Sequence, residues 1–188
     1  LMPLAPLAQA LEQHRAGRLK EAEVLYLQAL ARDAGRFEIH AQLAALLFFQ
    51  DRIEEAASRY EQALAIKPNQ PDLLANLGAC HLKLNRPDLA QAPLARALDL
   101  APAHARALSL LGLALMETGQ AREAIATLER ANALKPDDAD IGWNLAMALL
   151  NAGRLREGWE AFGRRWGSSA QSDPLRRMKA PPWDGRGE

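Results

Sequence analysis

The sequence predicts an all-α solenoid of stacked helical hairpins. Three observations carry that expectation. Apolar residues recur at three- and four-residue spacing, the mark of an amphipathic helix. The pattern then repeats with Pro68, Pro102 and Pro136 in equivalent places, a period of 34 residues. Finally, 49% of the chain is hydrophobic but only 5% is aromatic, a balance suited to helices packed through alanine and leucine.

The clearest unit runs from Ala105 to Asp138, ARALSLLGLALMETGQAREAIATLERANALKPDD. Leu108, Leu111 and Leu115 line one face of a first helix, with Gly112 beside them. Gly119 supplies a residue able to adopt the left-handed conformation that closes a helix. Ala124, Leu128 and Ala131 form the inner stripe of a second helix, and Pro136 ends it. Neither helix can bury its stripe alone, so each must pack on its partner and on neighbouring units.

Four further columns keep this phase. Small residues open the second helix at Ala22, Ala56, Ala90 and Ala124, and recur at Ala29, Ala63, Ala97 and Ala131. Between them stand Tyr26, Tyr60, Leu94, Leu128 and Phe162. At the helix–helix contact Ala10, Ala44, Gly78, Gly112 and Ala146 correspond. With this period and pattern, residues 3–172 resemble the tetratricopeptide repeat (TPR) family. The resemblance implies a right-handed α-α superhelix of about five units: 3–36, 37–70, 71–104, 105–138 and 139–172.

Unit one is the least regular, its first helix shortened by Pro3 and Pro6 before Gly17 marks the break. Unit two breaks at Asp51 after AQLAALLFFQ, which is apolar on nearly every side. Unit three breaks at Asn85 and places Pro87 in the first turn of its second helix, where proline fits. Pro93 lies inside that helix and predicts a bend, because it forfeits a backbone hydrogen bond. In unit five Gly158 and Arg165 replace the two small residues, and Trp159, Phe162 and Trp166 make an aromatic stripe. Residues 173–188 are proline-rich and basic, a tail or linker in which Leu175, Met178 and Trp183 are able to dock.

Composition and motifs exclude several functions. Lysine plus arginine and aspartate plus glutamate number 23 each, so no net field favours nucleic acid. No run approaches the roughly 20 apolar residues that span a bilayer, and Leu1–Leu7 lacks the basic flank of a signal peptide. The single cysteine fits a reducing compartment, and a cytoplasmic location is expected. His14, His40, His81 and His104 lie in separate units with no ligand spacing, and no phosphate-binding glycine loop occurs. The expectation is therefore no cofactor, no metal and no catalysis within these residues.

The feature that points to function is a second stripe on the first helices. It comprises Ala41, Ala45, Phe48 and Phe49, then Asn76, Ala79 and Leu82, then Leu113 and Met116, and finally Trp143, Asn144 and Met147. In TPR proteins that face lines the concave groove, so the resemblance implies protein or peptide binding there. Phe48, Phe49, Met116 and Trp143 exceed what close helix stacking needs, and such residues anchor interfaces. Asn76 and Asn144 fall where TPR domains of protein O-glycosyltransferases carry asparagines that hold a peptide backbone. The equivalent residues elsewhere are Ala8, Gln42 and Leu110, which interrupts that ladder. Leu7, Leu11, Ala41 and Ala45 stand where the carboxylate clamp of TPR cochaperones needs Lys and Asn.

Two local stretches resemble a narrower group, bacterial proteins joining TPR units to a glycosyltransferase-like domain. QHRAGRLKEAEVLYLQAL is similar to their opening repeat. Gly158, Trp159, Phe162, Arg165 and Trp166, then Pro182, Trp183 and Gly185, are similar to the junction before the catalytic domain. The resemblance implies the substrate-recruiting region of a larger protein glycosyltransferase whose catalytic domain would lie beyond these residues. The alternative is a free-standing scaffold that self-associates through its terminal units.

Overall fold

The computed structural model describes residues 5–167, with side chains described for residues 6–163. Leu175, Met178, Trp183 and the side chains of Arg165 and Trp166 lie outside those residues. The described chain is all-α, ten helices joined as consecutive hairpins without a strand among them. The first three hairpins pair α1 (Ala5–Arg15) with α2 (Leu19–Arg32), α3 (Phe37–Phe49) with α4 (Ile53–Ile66), and α5 (Pro71–Lys83) with α6 (Pro87–Leu100). The last two pair α7 (Ala105–Glu117) with α8 (Ala121–Leu134), and α9 (Ala139–Asn151) with α10 (Leu155–Gly167).

The same turn closes each hairpin. Gly17, Asp51, Asn85, Gly119 and Gly153 have φ of 75°, 61°, 55°, 80° and 76°. That left-handed residue reverses the chain so that the following N–H reaches back five residues. Arg18, Arg52, Arg86, Gln120 and Arg154 thus donate to the carbonyls of Gln13, Leu47, His81, Leu115 and Leu149 at 2.8–3.0 Å. Asp51 and Asn85 adopt this conformation despite carrying a Cβ, as these two residue types can. Helix starts are capped less uniformly. The Asp138 carboxylate accepts from the Asp140 and Ile141 amides at 3.1 Å, and His104 Nδ1 accepts from the Ala107 amide at 3.2 Å. α6 runs unbroken through Pro93.

The fold packs as two compact units, Leu1–Pro102 and Ala103–Glu188. In the first, α2 packs on α3 and α4 on α5, around a core that includes Tyr26, Ile39, Leu43, Leu46 and Tyr60. In the second, α9 packs on both α7 and α8, around Ile125, Leu128, Leu145, Leu149 and Ala161. The alanine columns lie wholly inside the packing. Ala22, Ala56, Ala90 and Ala124, and Ala29, Ala63, Ala97 and Ala131, are all fully buried.

One contact explains why two hairpins need glycine. A Cβ on Gly78 would lie 2.5 Å from Leu94 Cγ, and one on Gly112 would lie 2.8 Å from Leu128 Cδ2. Both distances are below any real contact, and leucine branches at the atom in question. The other hairpins place alanine at that position and an aromatic at the facing one: Ala10 with Tyr26, Ala44 with Tyr60, Ala146 with Phe162. A flat ring leaves room for a methyl group that a branched Cγ does not. Gly158 obeys the same logic in the neighbouring column, since a Cβ there would sit 2.7 Å from Leu150 Cγ.

His81 occupies the core column held elsewhere by Leu47, Leu115 and Leu149. Its Nδ1 is buried with no hydrogen-bond partner, and burial lowers its pKa below the ordinary 6.5. Glu61 and Asp88 oppose that shift, and Arg86 adds to it. Burial lowers His14 as well, beside the Tyr26 hydroxyl at 3.1 Å. Both groups bind protons more weakly folded than unfolded, so their contribution to stability is present above 6.5 and lost as pH falls below it. The melting temperature should therefore drop between about pH 7 and pH 5. His81→Leu should flatten that drop and raise the melting temperature at the acid end; an unaltered pH profile would contradict this role.

Candidate functional site

In the first unit the stripe lies on α3 and α5. Ala41 and Ala45 are half-buried, while Phe49, the last residue of α3, is 77% exposed. Phe48 is half-buried beneath Lys83, whose Nζ lies 5.1 Å from the ring centroid. The same Nζ donates to Asp51 Oδ1 at 2.8 Å. The left-handed turn residue of one hairpin, the last residue of the next first helix and an aromatic ring thus meet at one place. Asn76 and Leu82 are half-buried, and Ala79 is buried at 6% exposure.

In the second unit the stripe lies on α7 and α9. Leu113, Met116 and Met147 are half-buried, and Trp143 is 38% exposed. The Asn151 amide reaches Met116 Sδ at 3.7 Å. Asn144 Nδ2 donates to Ser109 Oγ at 3.0 Å, so this asparagine ties α9 to α7. Trp143 leans on Phe162 of its own hairpin, with ring centroids 5.5 Å apart. Sequence reasoning missed the Lys83–Asp51 and Asn144–Ser109 pairs. Their separations of 32 and 35 residues lie within two of the repeat period, the available signal that they are neighbours in adjacent hairpins.

Other polar groups on the surface form ion pairs within and between hairpins. Arg52 bridges Glu23 at 2.7 Å and Glu55 at 2.6 Å, which holds the Glu55 carboxyl below its usual range. Such exposed pairs contribute at most about 1 kcal/mol each. A shallow cleft of about 270 Å³ among α8, α9 and α10 is lined by Glu129, Asn132, Glu157 and Glu160. Its carboxylates pair with Arg154 and Arg156. Among the described residues no three His, Cys, Asp or Glu side chains converge as metal ligands. None of their helices is long and apolar enough to cross a membrane. What these faces offer chemically is apolar and aromatic surface with scattered amides.

The helical hairpins, their left-handed turns and their small-residue columns define a helical-repeat protein, and the comparisons name the repeat. The tetratricopeptide-repeat model matches residues 50–114, 89–141 and 115–158, so the chain belongs to the TPR family. Its fold is similar to that of MamA from Desulfovibrio magneticus RS-1, with a TM-score of 0.83 and 23% identity. That match covers 89% of this chain and 96% of the MamA chain, which runs from its residue 41 to the end. It is similar also to YrrB, described as a TPR protein with an unusual peptide-binding site, with a TM-score of 0.76 and 22% identity. There the match covers 92% of this chain and 88% of YrrB. At these identities the likeness concerns the fold. No curated protein matches the chain.

Truncating Asn144 to alanine leaves the Ser109 hydroxyl, 7% exposed, without its partner. Urea denaturation should show a loss of about 1 kcal/mol. Most of it should be recovered when Ser109→Ala is added, because both halves of the pair are then gone.

Proposed function

We propose that this chain is a protein- or peptide-binding TPR scaffold that uses the stripe on its first helices and performs no chemistry there. The observation that carries the reading is Phe49, an aromatic left 77% exposed beside the Lys83–Phe48 pair on the binding face typical of the family. An exposed ring beside a cation suits a partner segment that brings an apolar side chain and a carboxylate or backbone carbonyl. Leu82 in the first unit, and Met116, Met147 and Trp143 in the second, have the same character, each within its own unit. YrrB is a precedent for peptide binding on the same fold.

The setting we infer is the substrate-recruiting region of a larger bacterial protein glycosyltransferase. Support comes from the opening repeat and from Gly158, Trp159 and Phe162, which are similar to the junction ahead of such a catalytic domain. Sequencing the native reading frame beyond Glu188 tests it directly. A glycosyltransferase-like domain is expected there, and a stop codon or an unrelated domain would refute the setting while leaving the binding face untouched.

Binding itself is tested by capturing a partner, mapping its contacting segment, and titrating that segment against variants. Phe49→Ala should weaken affinity by about 1–3 kcal/mol, as anchor truncations do. Glu129→Ala, on α8, should leave it unchanged. Equal affinities for both, with helicity intact, would place the binding site elsewhere.

A further inference from the structure

The residue just before each second helix recurs with the repeat, and its occupants find different partners. Arg52 and Arg154 are held there through their backbone N–H, bonded at 2.9 Å to the Leu47 and Leu149 carbonyls. Each guanidinium then grips the carboxylate three residues on. Arg52 Nε and Nη2 donate to the two oxygens of Glu55 at 2.6 and 2.7 Å. Arg154 donates to Glu157 in the same two-pronged way, with Nε at 2.8 Å. Arg52 also bonds Glu23 of α2, and Arg154 lies 3.8 Å from Glu129 of α8. In the first hairpin Arg18 turns to Gln13 instead, and the fourth hairpin has Gln120.

Arg86 stands at this position in the third hairpin, its N–H bonded at 2.9 Å to the His81 carbonyl. Pro87 follows and fixes the first turn of α6. Leu89, however, replaces the glutamate three residues on, and Ala57 replaces the one that Arg52 reaches on the preceding second helix. Glu61 and Asp88 act together with Arg86 on the His81 imidazole. Among the described residues, no carboxylate forms an ion pair with Arg86. The arginine is exposed, and Leu89 beside it is 49% exposed in a column that otherwise holds Glu21, Glu55, Glu123 and Glu157.

We propose that the start of α6 is a docking point for an acidic segment of a partner protein. The partner's carboxylate takes the place in the Arg86 fork that Glu55 and Glu157 fill in their own hairpins. A planar guanidinium matches a carboxylate in this two-pronged way, which a single point charge does not. Leu89 meets an apolar side chain next to that carboxylate. The docking point belongs to a second helix, whereas the stripe proposed above belongs to first helices. It therefore rests on the scaffold reading only in needing a partner protein.

The probe is a displayed library of random peptides, selected on the full chain; the binders are then titrated singly against variants. The selection should enrich peptides with Asp or Glu beside an apolar residue. Their affinity should fall by about tenfold with Arg86→Gln, as the loss of an arginine anchor does. Leu89→Glu should weaken them as much, because it supplies from within the chain the carboxylate that fills the fork. Leu89→Gln, which removes the leucine but leaves the fork open, should cost less. Helicity should be unchanged throughout, since glutamate already stands at this position in the other hairpins. A selection without acidic binders would overturn the proposal, as would binders indifferent to Arg86→Gln or equal effects of Leu89→Glu and Leu89→Gln. Binders weakened by Phe49→Ala alone would uphold the stripe and refute this docking point. Binders weakened by Arg86→Gln and Leu89→Glu but not by Phe49→Ala would do the reverse.

Discussion

Close approach of two helices at a small residue is the constraint on which the rest of this structure depends. Within each hairpin the backbones come near enough that the side chain at one position decides what the facing position can be. Leu94 and Leu128 demand glycine opposite them, at Gly78 and Gly112. Aromatic residues at the same position accept alanine. The fully buried alanine columns extend the same rule to both flanks of the first four second helices. Because Ala and Gly bring little area of their own, cohesion comes from the large side chains they admit: Tyr26, Ile39, Leu43, Leu108 and Leu128 are among the most buried.

This arrangement decides where function is able to reside. Second helices spend their inner faces on packing, and their outer faces carry exposed ion pairs of small energetic weight. First helices keep a face that packing leaves partly open, where Phe48, Phe49, Met116, Trp143 and Met147 stand. The structure grades that face sharply. Ala79 is drawn into the core, Asn144 is committed to Ser109, and Phe49 stands almost free. The binding surface we propose works through a few protruding anchors, with the small residues setting the shape between them.

The fold was legible because its signals are local and repeated. Turn positions could be read from Gly17, Asp51, Asn85, Gly119 and Gly153, since few residue types tolerate positive φ. The packing stripes followed from helical periodicity. The partly exposed positions on the first helices could be read as residues, but their contacts could not. That Lys83 would stand over Phe48 while bonding Asp51 depends on rotamers chosen by a neighbouring hairpin. Likewise the lean of Trp143 onto Phe162 is a choice of rotamers within the last hairpin. The helix α6 continues through Pro93, although proline forfeits a backbone hydrogen bond there.

The most direct test of the packing rule is a double-mutant cycle at Gly112 and Leu128, followed by urea denaturation of the full chain. Gly112→Ala should cost about 1–3 kcal/mol through overpacking against the leucine branch. Combining it with Leu128→Tyr recreates the Ala44–Tyr60 pairing of the second hairpin. The account predicts that the double variant is more stable than the two single losses summed, by about 1 kcal/mol or more. Simple additivity of the two substitutions would contradict it.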